Sequence, residues 1–362
     1  MTDTPVDFVH IGLPKAASTW LQQCLFPQLP AVVLGAGDPQ DAINQAFVAE
    51  VRAIVMSPEH VFDRDRFARR IDALFAARRQ THPAPSPTPT LHGLSHEVLS
   101  GLSLTGHNAA FVARTLRALY PQAKILLFIR NQRDMLISSY MQYIRMGGWA
   151  PFRSFLMDPA VSGESPDPGV LQNTLLVEYF KYSRLVKLYR DLFGANLLVE
   201  CMERLWTDRP ATVERLYRFL GVPVPGNLDD RRTNVHFSST TLAIMRHMNR
   251  VLKSRRHNPH GLIPDGCAVW LYRVLRPGHA RAHPMADNPY MLSADLQHSL
   301  ALRVAGRLNH LFDNRWTKHT TPDYFRTLPA DDCEWLFEQY RRDNRHTQAL
   351  IETDLAAAGY LL

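Results

Sequence analysis

One lysine and two hydroxyl side chains follow the first apolar segment of the chain at short spacing. The segment covers residues 6–13 (VDFVHIGL), and Lys15, Ser18 and Thr19 come directly after it. An apolar run that ends in Gly-Leu-Pro predicts a buried strand entering a turn, and residues 16–26 have the composition of a helix. Backbone N–H groups at a helix N-terminus, small side chains and a cation suit an anion such as phosphate. The alternative is an ordinary helix start with a surface lysine.

A second basic group follows the strongest strand pattern in the sequence. KILLFI at residues 124–129 predicts a buried strand that runs directly into Arg130, and the next predicted helix, 134–146, carries Ser138. Ligands of open α/β sheets bind beyond the carboxyl ends of the strands, where such a guanidinium lies. A Walker B strand would end in an aspartate that holds magnesium, so Arg130 indicates a phosphate bound directly, without metal. Taken singly, Arg130 also fits a surface ion pair and Ser138 a solvent-facing helix position.

Strands and helices alternate along most of the chain. Further strands are predicted at 91–94 and 196–201, and helices at 41–80, 109–120, 173–193, 210–220 and 330–356. This alternation implies right-handed crossovers and a central parallel sheet flanked by helices, which is an α/β fold. The proline-rich stretch 82–90 predicts a surface loop, and 238–320 is helical and loop-rich with no readable packing.

Composition excludes several classes of protein. The chain has 362 residues, with 41 Lys and Arg against 34 Asp and Glu, and its net charge of +7 is scattered rather than gathered into blocks. This balance favours an anionic ligand and does not indicate a nucleic-acid binder. Four distant cysteines exclude a zinc ribbon and a disulfide scaffold. Neither a signal peptide nor an 18-residue apolar run is present, so we expect a soluble, cytoplasmic protein. The richness in Arg, Ala and Pro suits a GC-rich bacterial genome.

The two phosphate-binding segments together resemble those of the sulfotransferases that depend on 3′-phosphoadenosine 5′-phosphosulfate (PAPS). The resemblance lies in GLPKAASTWLQ at 12–22 and LLFIRNQRDMLISSYMQYIR at 126–145, in the order and approximate spacing of the family. Residues 182–222 agree in pattern, and QYRRDNRHTQAL at 339–350 resembles the closing helix of the bacterial carbohydrate-type members. It implies a P-loop-containing nucleotide-binding fold in a single domain over 1–362, with helical additions towards the C-terminus.

The resemblance assigns roles to individual residues of the donor site. It implies that Lys15 contacts the transferring sulfuryl group and that Arg130 and Ser138 hold the 3′-phosphate. The residues that it implies for the 5′-phosphate cradle are Ala16, Ala17, Ser18, Thr19 and Trp20. Arg231 or Arg232 falls where the family closes a basic loop over the nucleotide, with a solvated basic loop as the alternative. Trp20 is also a candidate for the adenine pocket, with core packing as the alternative.

Two adjacent residues compete for the role of general base. In carbohydrate-acting members of the family a glutamate after the second strand deprotonates the acceptor, and in the cytosolic small-molecule branch a histidine does so. His96 and Glu97 both lie at that place. Adjacent residues leaving a strand point in opposite directions, so only one of them should face the acceptor. We predict Glu97 as the base, with His96 as its competitor. His10 and His92 lie on strands and are interpreted as packing residues.

The resemblance implies transfer of a sulfuryl group from PAPS to a hydroxyl or amine, with 3′,5′-ADP as product and no metal. A small-molecule, carbohydrate or glycolipid acceptor is expected, bound among 82–90, 147–170 and 238–320. One alternative is a P-loop kinase or nucleoside-triphosphate hydrolase, against which the missing second Walker A glycine counts. The other is a non-catalytic protein that binds polyanions or a membrane surface. Residues 267–281 mix apolar residues with arginines, a composition that suits a membrane surface.

Overall fold

Five parallel strands form one sheet, and the strand predicted first in the chain lies at its centre. The strands are β1 (Phe8–His10), β2 (Ala31–Leu34), β3 (Leu91–Ser95), β4 (Lys124–Ile129) and β5 (Leu197–Cys201), in the spatial order β2-β3-β1-β4-β5. Val9 pairs with Leu94 of β3 on one side and with Ile125 of β4 on the other. The carboxyl ends of β3, β1 and β4 are therefore neighbours at one edge of the sheet.

The computed structural model describes residues 5–81, 91–103, 105–158, 176–224, 239–251 and 323–362. The chain divides into two compact units, of which the first takes 1–135, 176–233 and 334–362, and the second takes 136–175 and 234–333. The sheet belongs entirely to the first unit. The proline-rich stretch 82–90 and residues 252–320 of the predicted helical region lie outside the described residues.

The described helices alternate with the strands. They are α1 (Ser18–Trp20), α2 (Ala42–Met56), α3 (Arg64–Thr81), α4 (Ala109–Leu119), α5 (Gln132–Arg145), α6 (Phe152–Met157), α7 (Leu176–Tyr179), α8 (Ser183–Phe193), α9 (Arg204–Thr207), α10 (Arg209–Leu220), α11 (Ser239–Val251) and α12 (Ala330–Gln348). The first of these continues as a π-helical turn, Leu21–Leu25, and a 3-10 turn, Phe26–Gln28. In the first unit α3 packs against β2, and α8 packs against β4 and β5. The predicted α/β fold with a central parallel sheet flanked by helices is confirmed.

Burial explains why the central strands read as continuous apolar runs. Phe8, Val9 and His10 are all fully buried, and five of the six residues of β4 are buried as well. A parallel sheet covered by helices hides both faces, so side chains that point in either direction must be apolar or internally satisfied. The imidazole of His10 is the exception that needs a partner.

Three predicted helices have different bounds in the structure. The helix predicted over 41–80 is two helices, because Ser57 precedes a proline and takes an extended conformation, with φ −81° and ψ 140°. The helix predicted over 173–193 is interrupted between α7 and α8, where buried Asp343 accepts from the backbone N–H and the hydroxyl of Ser183. The final helix ends at Gln348 rather than near 356, because the side chain of Gln348 bonds to Thr353 and Leu355 in the turns that follow.

Strand β2 was not predicted from the sequence. Its four residues, AVVL, form a short apolar run that is bounded by Pro30 and Gly35. At Gly35 φ is +88°, and a Cβ there would stand 2.1 Å from the backbone oxygen of Ser95. Only glycine allows the end of β2 to approach β3 so closely.

The second unit has an aromatic core of its own in its described residues. Tyr140 is fully buried, and its hydroxyl donates to the backbone oxygen of Ala150. The ring of Tyr140 lies 5.0 Å from Phe152 and 4.8 Å from Tyr324, measured between centroids. Asn249 of α11 donates to the backbone oxygens of Ile144 and Gly148, both at 2.8 Å, and so closes the end of α5. Tyr140 is thus a core residue of this unit.

Candidate functional site

Three of the predicted site segments meet at neighbouring strand ends. The loop with Lys15 follows β1, the turn with His96 and Glu97 follows β3, and Arg130 follows β4. Because β1 lies between β3 and β4, the loop is flanked by the base candidates on one side and by the arginine on the other. Ligands of open α/β sheets bind at this edge.

The loop after β1 is held in an unusual backbone conformation. Lys15 has φ 63° and Ala17 has φ 66°, both in the left-handed region that residues with a Cβ rarely occupy. The N–H of Ala16 donates back to the carbonyl of Leu13 at 3.3 Å, and α1 begins at Ser18. Such conformations persist where the surroundings impose them and are common at ligand-binding sites. Left-handed residues just before a helix start are a type of backbone that forms anion-binding concavities.

The side chains of Ser18 and His10 pack so closely against Gly12 that no Cβ fits there. A Cβ at this position would lie 2.6 Å from Oγ of Ser18 and 2.7 Å from Nε2 of His10. Real Cβ atoms do not approach polar atoms so closely, so the backbone here must be glycine. The close packing of Ser18 and His10 against Gly12 fixes the start of the loop that the sequence predicts as a phosphate cradle.

Arg130 contacts the donor loop directly. Its Nη1 donates to the backbone oxygen of Lys15 at 3.2 Å, so the two predicted phosphate-binding segments are joined by a hydrogen bond. The hydroxyl of Tyr182 donates to the backbone oxygen of Arg130 at 2.6 Å. Glu203 accepts from the N–H of Asn131 at 2.8 Å and thereby holds the turn after β4. The arginine is therefore fixed at the loop rather than turned into solvent.

Glu97 begins a short 3-10 turn, Glu97–Ser100, that is bonded to the loop after β1. The hydroxyl of Ser100 lies 3.2 Å from the backbone oxygen of Gly12 and 2.9 Å from that of Glu97. The N–H of His96 donates to the backbone oxygen of His10 at 3.2 Å. The base candidates are thus held against the donor loop at two points.

The hydrogen bonding of His96 opposes a role as the base. Its Nδ1 accepts from the N–H of Val98 at 3.2 Å, so in the neutral ring the proton resides on Nε2. Burial, and to a lesser extent the charge of Arg52, lowers the pKa of His96 to about 4. A ring that is neutral near pH 7 and already carries its proton on Nε2 has no nitrogen left to accept one. The residue serves instead as the cap of the turn.

A cavity of about 220 Å³ opens beside the loop and is lined by both Glu97 and the donor segment. Its lining residues are Ser18, Thr19, Gln22, Gln23, Gly35, Gly37, Pro39, Asn44, Val48, His96 and Glu97. Ser18 and Thr19 come from the predicted cradle, and Glu97 is the predicted base. The structure therefore brings these predicted residues to one cavity, all within the first unit.

Sequence reasoning missed the amide side chains of this cavity. Gln22 lies four residues after Ser18, one helical turn away on the same side, which is the signal that was available. Its Nε2 donates to Ser95 at the backbone oxygen, over 3.3 Å, and at Oγ, over 3.1 Å. Asn44 bonds to the backbone of Gly35, Ala36 and Asp38, so it shapes the cavity wall. No spacing rule in the sequence connects that loop with the donor segment.

Trp20 is buried, and a guanidinium stacks on it. The Arg209 Cζ atom lies 5.6 Å from the centroid of the Trp20 ring and 5.4 Å from that of Trp206. Trp206 is half exposed, whereas Trp20 is only 3% exposed. The ring of Trp20 therefore packs in the first unit, as one of the two sequence interpretations expected.

The remaining predicted residues have mixed positions. Ala16, Ala17 and Ser18 are buried, and Thr19 is exposed at the cavity. Ser138 is a buried residue of α5 that belongs to the second unit, and its role at the 3′-phosphate stays a prediction. Arg231 and Arg232 lie outside the described residues.

Neither a metal site nor a membrane span is present in the described part of the chain. No group of three or more His, Cys, Asp or Glu side chains there is arranged to hold a metal ion. No helix in the same part is both long and apolar enough to cross a membrane. The arginine-bearing stretch 267–281 lies outside the described residues.

Comparison with known proteins identifies the family. Residues 7–226, more than half of the chain, match the model of the Sulfotransferase family. The chain therefore belongs to the sulfotransferases and is a sulfotransferase enzyme, as its motifs indicated. None of the curated proteins that were compared matches it significantly.

Two solved structures are similar at low identity. A sulfotransferase from Alicyclobacillus acidocaldarius is 20% identical, with a TM-score of 0.43, over 64% of this chain and 87% of its own. The mouse sulfotransferase SULT7A1, complexed with PAP, is 10% identical, with a TM-score of 0.40, over 97% of this chain and 87% of its own. The family match, rather than these distant likenesses, carries the assignment.

Proposed function

We propose that this sulfotransferase moves a sulfuryl group from PAPS to a hydroxyl of a carbohydrate or glycolipid, with Glu97 as general base. The observation that carries the proposal is that Glu97 lines the same cavity as Ser18 and Thr19. A base and a donor cradle that share one cavity can bring an acceptor hydroxyl and the sulfuryl group together, which is most of what group transfer requires.

The donor side of the proposal rests on the loop after β1. The close packing at Gly12, the buried hydroxyl of Ser18 and the left-handed residues Lys15 and Ala17 suit a fixed loop that holds a 5′-phosphate through backbone and hydroxyl donors. Arg130, bonded to the loop at Lys15, supplies a guanidinium beside it for the second phosphate. When bound, PAPS supplies the activated sulfuryl group. The assignments of Ser138, Arg231 and Arg232 to the nucleotide are part of this proposal.

In the proposed chemical step, Glu97 takes up the proton and Lys15 faces the leaving group. The Glu97 carboxylate accepts the proton of the acceptor hydroxyl while the oxygen of that hydroxyl forms a bond to sulfur. The bond between sulfur and the bridging phosphate oxygen breaks, and its electron pair stays on that oxygen. Lys15 places its positive charge where this negative charge develops, which is the usual way to stabilise a leaving group. The product nucleotide is 3′,5′-ADP.

The choice of Glu97 over His96 rests on hydrogen bonding. His96 caps the turn through Nδ1 and keeps its proton on Nε2, so it can donate into the cavity but cannot accept. Glu97 lies at the first position of the turn, and the hydroxyl of Ser100 holds that turn beside the backbone oxygen of Gly12. A carboxylate positioned in this way is the only group of the pair that can take a proton at neutral pH.

The lining of the cavity supports a hydroxyl-rich acceptor. Three of its lining side chains are amides, from Gln22, Gln23 and Asn44, and two, from Pro39 and Val48, are apolar. Amides donate and accept hydrogen bonds and therefore suit sugar hydroxyls better than an aromatic or aliphatic acceptor. An amine is the second acceptor class that the same chemistry admits.

Family membership weighs against the two alternatives from the sequence. A P-loop kinase or hydrolase would need a Walker A lysine and a magnesium-binding acid. That acid would come directly after a strand, and the residue directly after β4 is Arg130. A protein that merely binds polyanions has no need of a carboxylate beside its anion cradle. Peripheral membrane contact and a cytoplasmic location both stay predictions.

Two assays on the whole chain test the proposal. The first is isothermal titration with 3′,5′-ADP in the presence and absence of EDTA, in which we expect tight binding that EDTA leaves unchanged. The second is incubation with radiolabelled PAPS and a panel of oligosaccharides, glycolipids and amines, with magnesium and labelled ATP as the matched control. Absence of 3′,5′-ADP binding, or transfer from ATP instead of PAPS, would overturn the proposal.

A further inference from the structure

His10 is a buried polar residue that the proposed chemistry leaves unexplained. Its side chain is fully buried in the central strand, with its ring centroid 5.5 Å from that of Phe26 and 6.3 Å from that of Phe128. Its Nδ1 lies 2.9 Å from Oγ of Ser95. Its Nε2 is equally buried and has no hydrogen-bond partner among the residues that the structure describes. A buried polar atom without a partner is costly and calls for a physical reason.

The hydrogen bonds around Ser95 favour a proton on Nε2 of His10. Nε2 of Gln22 donates one proton to the backbone oxygen of Ser95 and the other to Oγ of Ser95. Since Oγ accepts from Gln22, its own proton is available for Nδ1 of His10. The His10 ring then holds its proton on Nε2. Burial, with a smaller contribution from His96, lowers the pKa of His10 to about 3, so the ring is neutral near pH 7.

The protonated Nε2 faces the donor loop. It lies 2.7 Å from the point where a Cβ on Gly12 would stand, and Oγ of Ser18 lies 2.6 Å from the same point. Ser18 donates to the backbone oxygen of Leu13 at 3.5 Å, which is at the long limit for a hydrogen bond. The hydroxyl of Ser18 is therefore weakly held, and the buried Nε2 of His10 lies close to the same point beside Gly12.

We propose that His10 is a positioning residue for sulfuryl transfer: when the nucleotide binds, its Nε2–H donates to Oγ of Ser18 and aims the Ser18 hydroxyl at a phosphate oxygen of the nucleotide. A hydroxyl that accepts one hydrogen bond donates a stronger one, because neighbouring bonds polarise each other. The role rests on the proposed function, since it assumes that the Ser18 loop holds the nucleotide.

The same contacts connect the nucleotide with the acceptor cavity. Gln22 lines the cavity and ends the chain of bonds that runs through Ser95 and His10 towards Ser18. The side chains that would contact an acceptor and those that would contact the donor phosphate thus share one set of hydrogen bonds. Proteins commonly orient an imidazole in this way, with a neighbouring residue that bonds to one ring nitrogen and thereby fixes the tautomer.

Two replacements of His10 separate its two nitrogens. His10→Asn keeps an acceptor for the Ser95 hydroxyl where Nδ1 stands and removes Nε2. His10→Gln brings an amide N–H to the place of Nε2. We expect the affinity for 3′,5′-ADP, measured by isothermal titration, to fall about tenfold in His10→Asn, the size of one hydrogen bond, and to stay within about twofold of the wild type in His10→Gln.

A double-mutant cycle with Ser18→Ala distinguishes positioning from packing. If His10 acts through Ser18, adding His10→Asn to Ser18→Ala causes no further loss of 3′,5′-ADP affinity, because the hydroxyl is already gone. If His10 only packs, the two losses multiply. If the two losses of affinity multiply, or if a folded His10→Asn variant binds 3′,5′-ADP as tightly as the wild type, the proposed role of His10 is overturned. The proposed function of the chain is not affected by either result. A wild-type chain that does not bind 3′,5′-ADP overturns the proposed function instead.

Nitrogen NMR of the wild-type chain labelled with ¹⁵N-histidine keeps the proposal testable where a variant does not fold. The His10 signals, assigned by their loss in whichever His10 variant folds, should show a proton on Nε2 and a bare Nδ1. The Nε2 signal should shift when 3′,5′-ADP is added. A proton on Nδ1, or an Nε2 signal that saturating 3′,5′-ADP leaves in place, would contradict the proposal.

Discussion

The hydroxyl of Ser100 lies 3.2 Å from the backbone oxygen of Gly12 and so joins the turn that carries Glu97 to the loop that carries Lys15. Ser100 is almost fully buried, so solvent does not compete for this bond. Groups that act on one reacting centre must be held within a fraction of an ångström of their productive positions. A single buried hydroxyl contributes to that alignment.

Replacing Ser100 with alanine should lower both stability and turnover. Loss of the hydroxyl leaves the oxygen of Gly12 without this donor, and we expect the free energy of unfolding to fall by about 1 kcal/mol. Urea unfolding of Ser100→Ala and the wild type measures this difference, and transfer from labelled PAPS measures the effect on turnover. Unchanged values in both would show that the turn is held by its other contacts alone.

Lys15 and Arg130 should fail in different ways when each is replaced by alanine. The proposed mechanism places Lys15 where charge develops, so we expect Lys15→Ala to lose about 10²–10³-fold in turnover at saturating PAPS. The same proposal places Arg130 at a phosphate that does not react, so we expect Arg130→Ala mainly to weaken 3′,5′-ADP binding. Arg133→Ala, an exposed position on the next helix, is the matched control and should change neither. Equal losses of nucleotide affinity in the first two variants, with turnover intact, would contradict this division.

The left-handed backbone at Ala17 makes an unusual stability prediction. A residue with a Cβ at φ 66° costs roughly 1 kcal/mol more than glycine there, so Ala17→Gly should raise the free energy of unfolding by up to about that amount. Ala16 has no positive φ, and Ala16→Gly should instead destabilise by about 0.5–1 kcal/mol. Urea midpoints of the two variants measure the contrast. A decrease in both would mean that Ala17 is not strained.

His10 should make stability depend on pH. Its pKa is about 3 in the folded chain, against the ordinary 6.5 of an unfolded histidine. Between these values the unfolded state binds the extra proton, so stability is fully present above pH 6.5 and is lost as the pH falls. We expect a loss of about 1.4 kcal/mol per pH unit from this residue. His10→Gln, which does not titrate, should show a shallower dependence between pH 6.5 and 5 in urea unfolding; parallel curves would refute the assignment.

The fold was predictable wherever local pattern decides structure. The strand predicted from KILLFI has the same bounds as β4, because a fully buried strand is one continuous apolar run. The loop after β1 was recognised from its small residues and its lysine. Strand β2 was missed because four residues carry little periodicity. The break between α7 and α8 depends on Asp343, which is 160 positions away from Ser183 and leaves no local signal.

The sequence predicted residues for the proposed chemistry, but it did not predict the amide side chains that line the cavity. Lys15 and Arg130 were predicted from residue type and strand order, and the pair His96 and Glu97 from the family resemblance. The resemblance also selected Glu97 over His96, and the bond from Val98 to Nδ1 of His96 supports that prediction. Gln22 and its partner Ser95 went unnoticed, because their contact depends on the pairing of β3 with β1.

The most direct measurement compares Glu97→Gln with His96→Ala, in transfer from labelled PAPS and in 3′,5′-ADP binding. Glu97→Gln keeps the size and polarity of the side chain and removes the base, so turnover at saturating donor should fall by about 10²-fold or more. Its affinity for 3′,5′-ADP should stay within about twofold of the wild type. His96→Ala should keep more of its turnover than Glu97→Gln. Loss of turnover in His96→Ala with full turnover in Glu97→Gln would contradict the proposed mechanism and assign the base to the histidine.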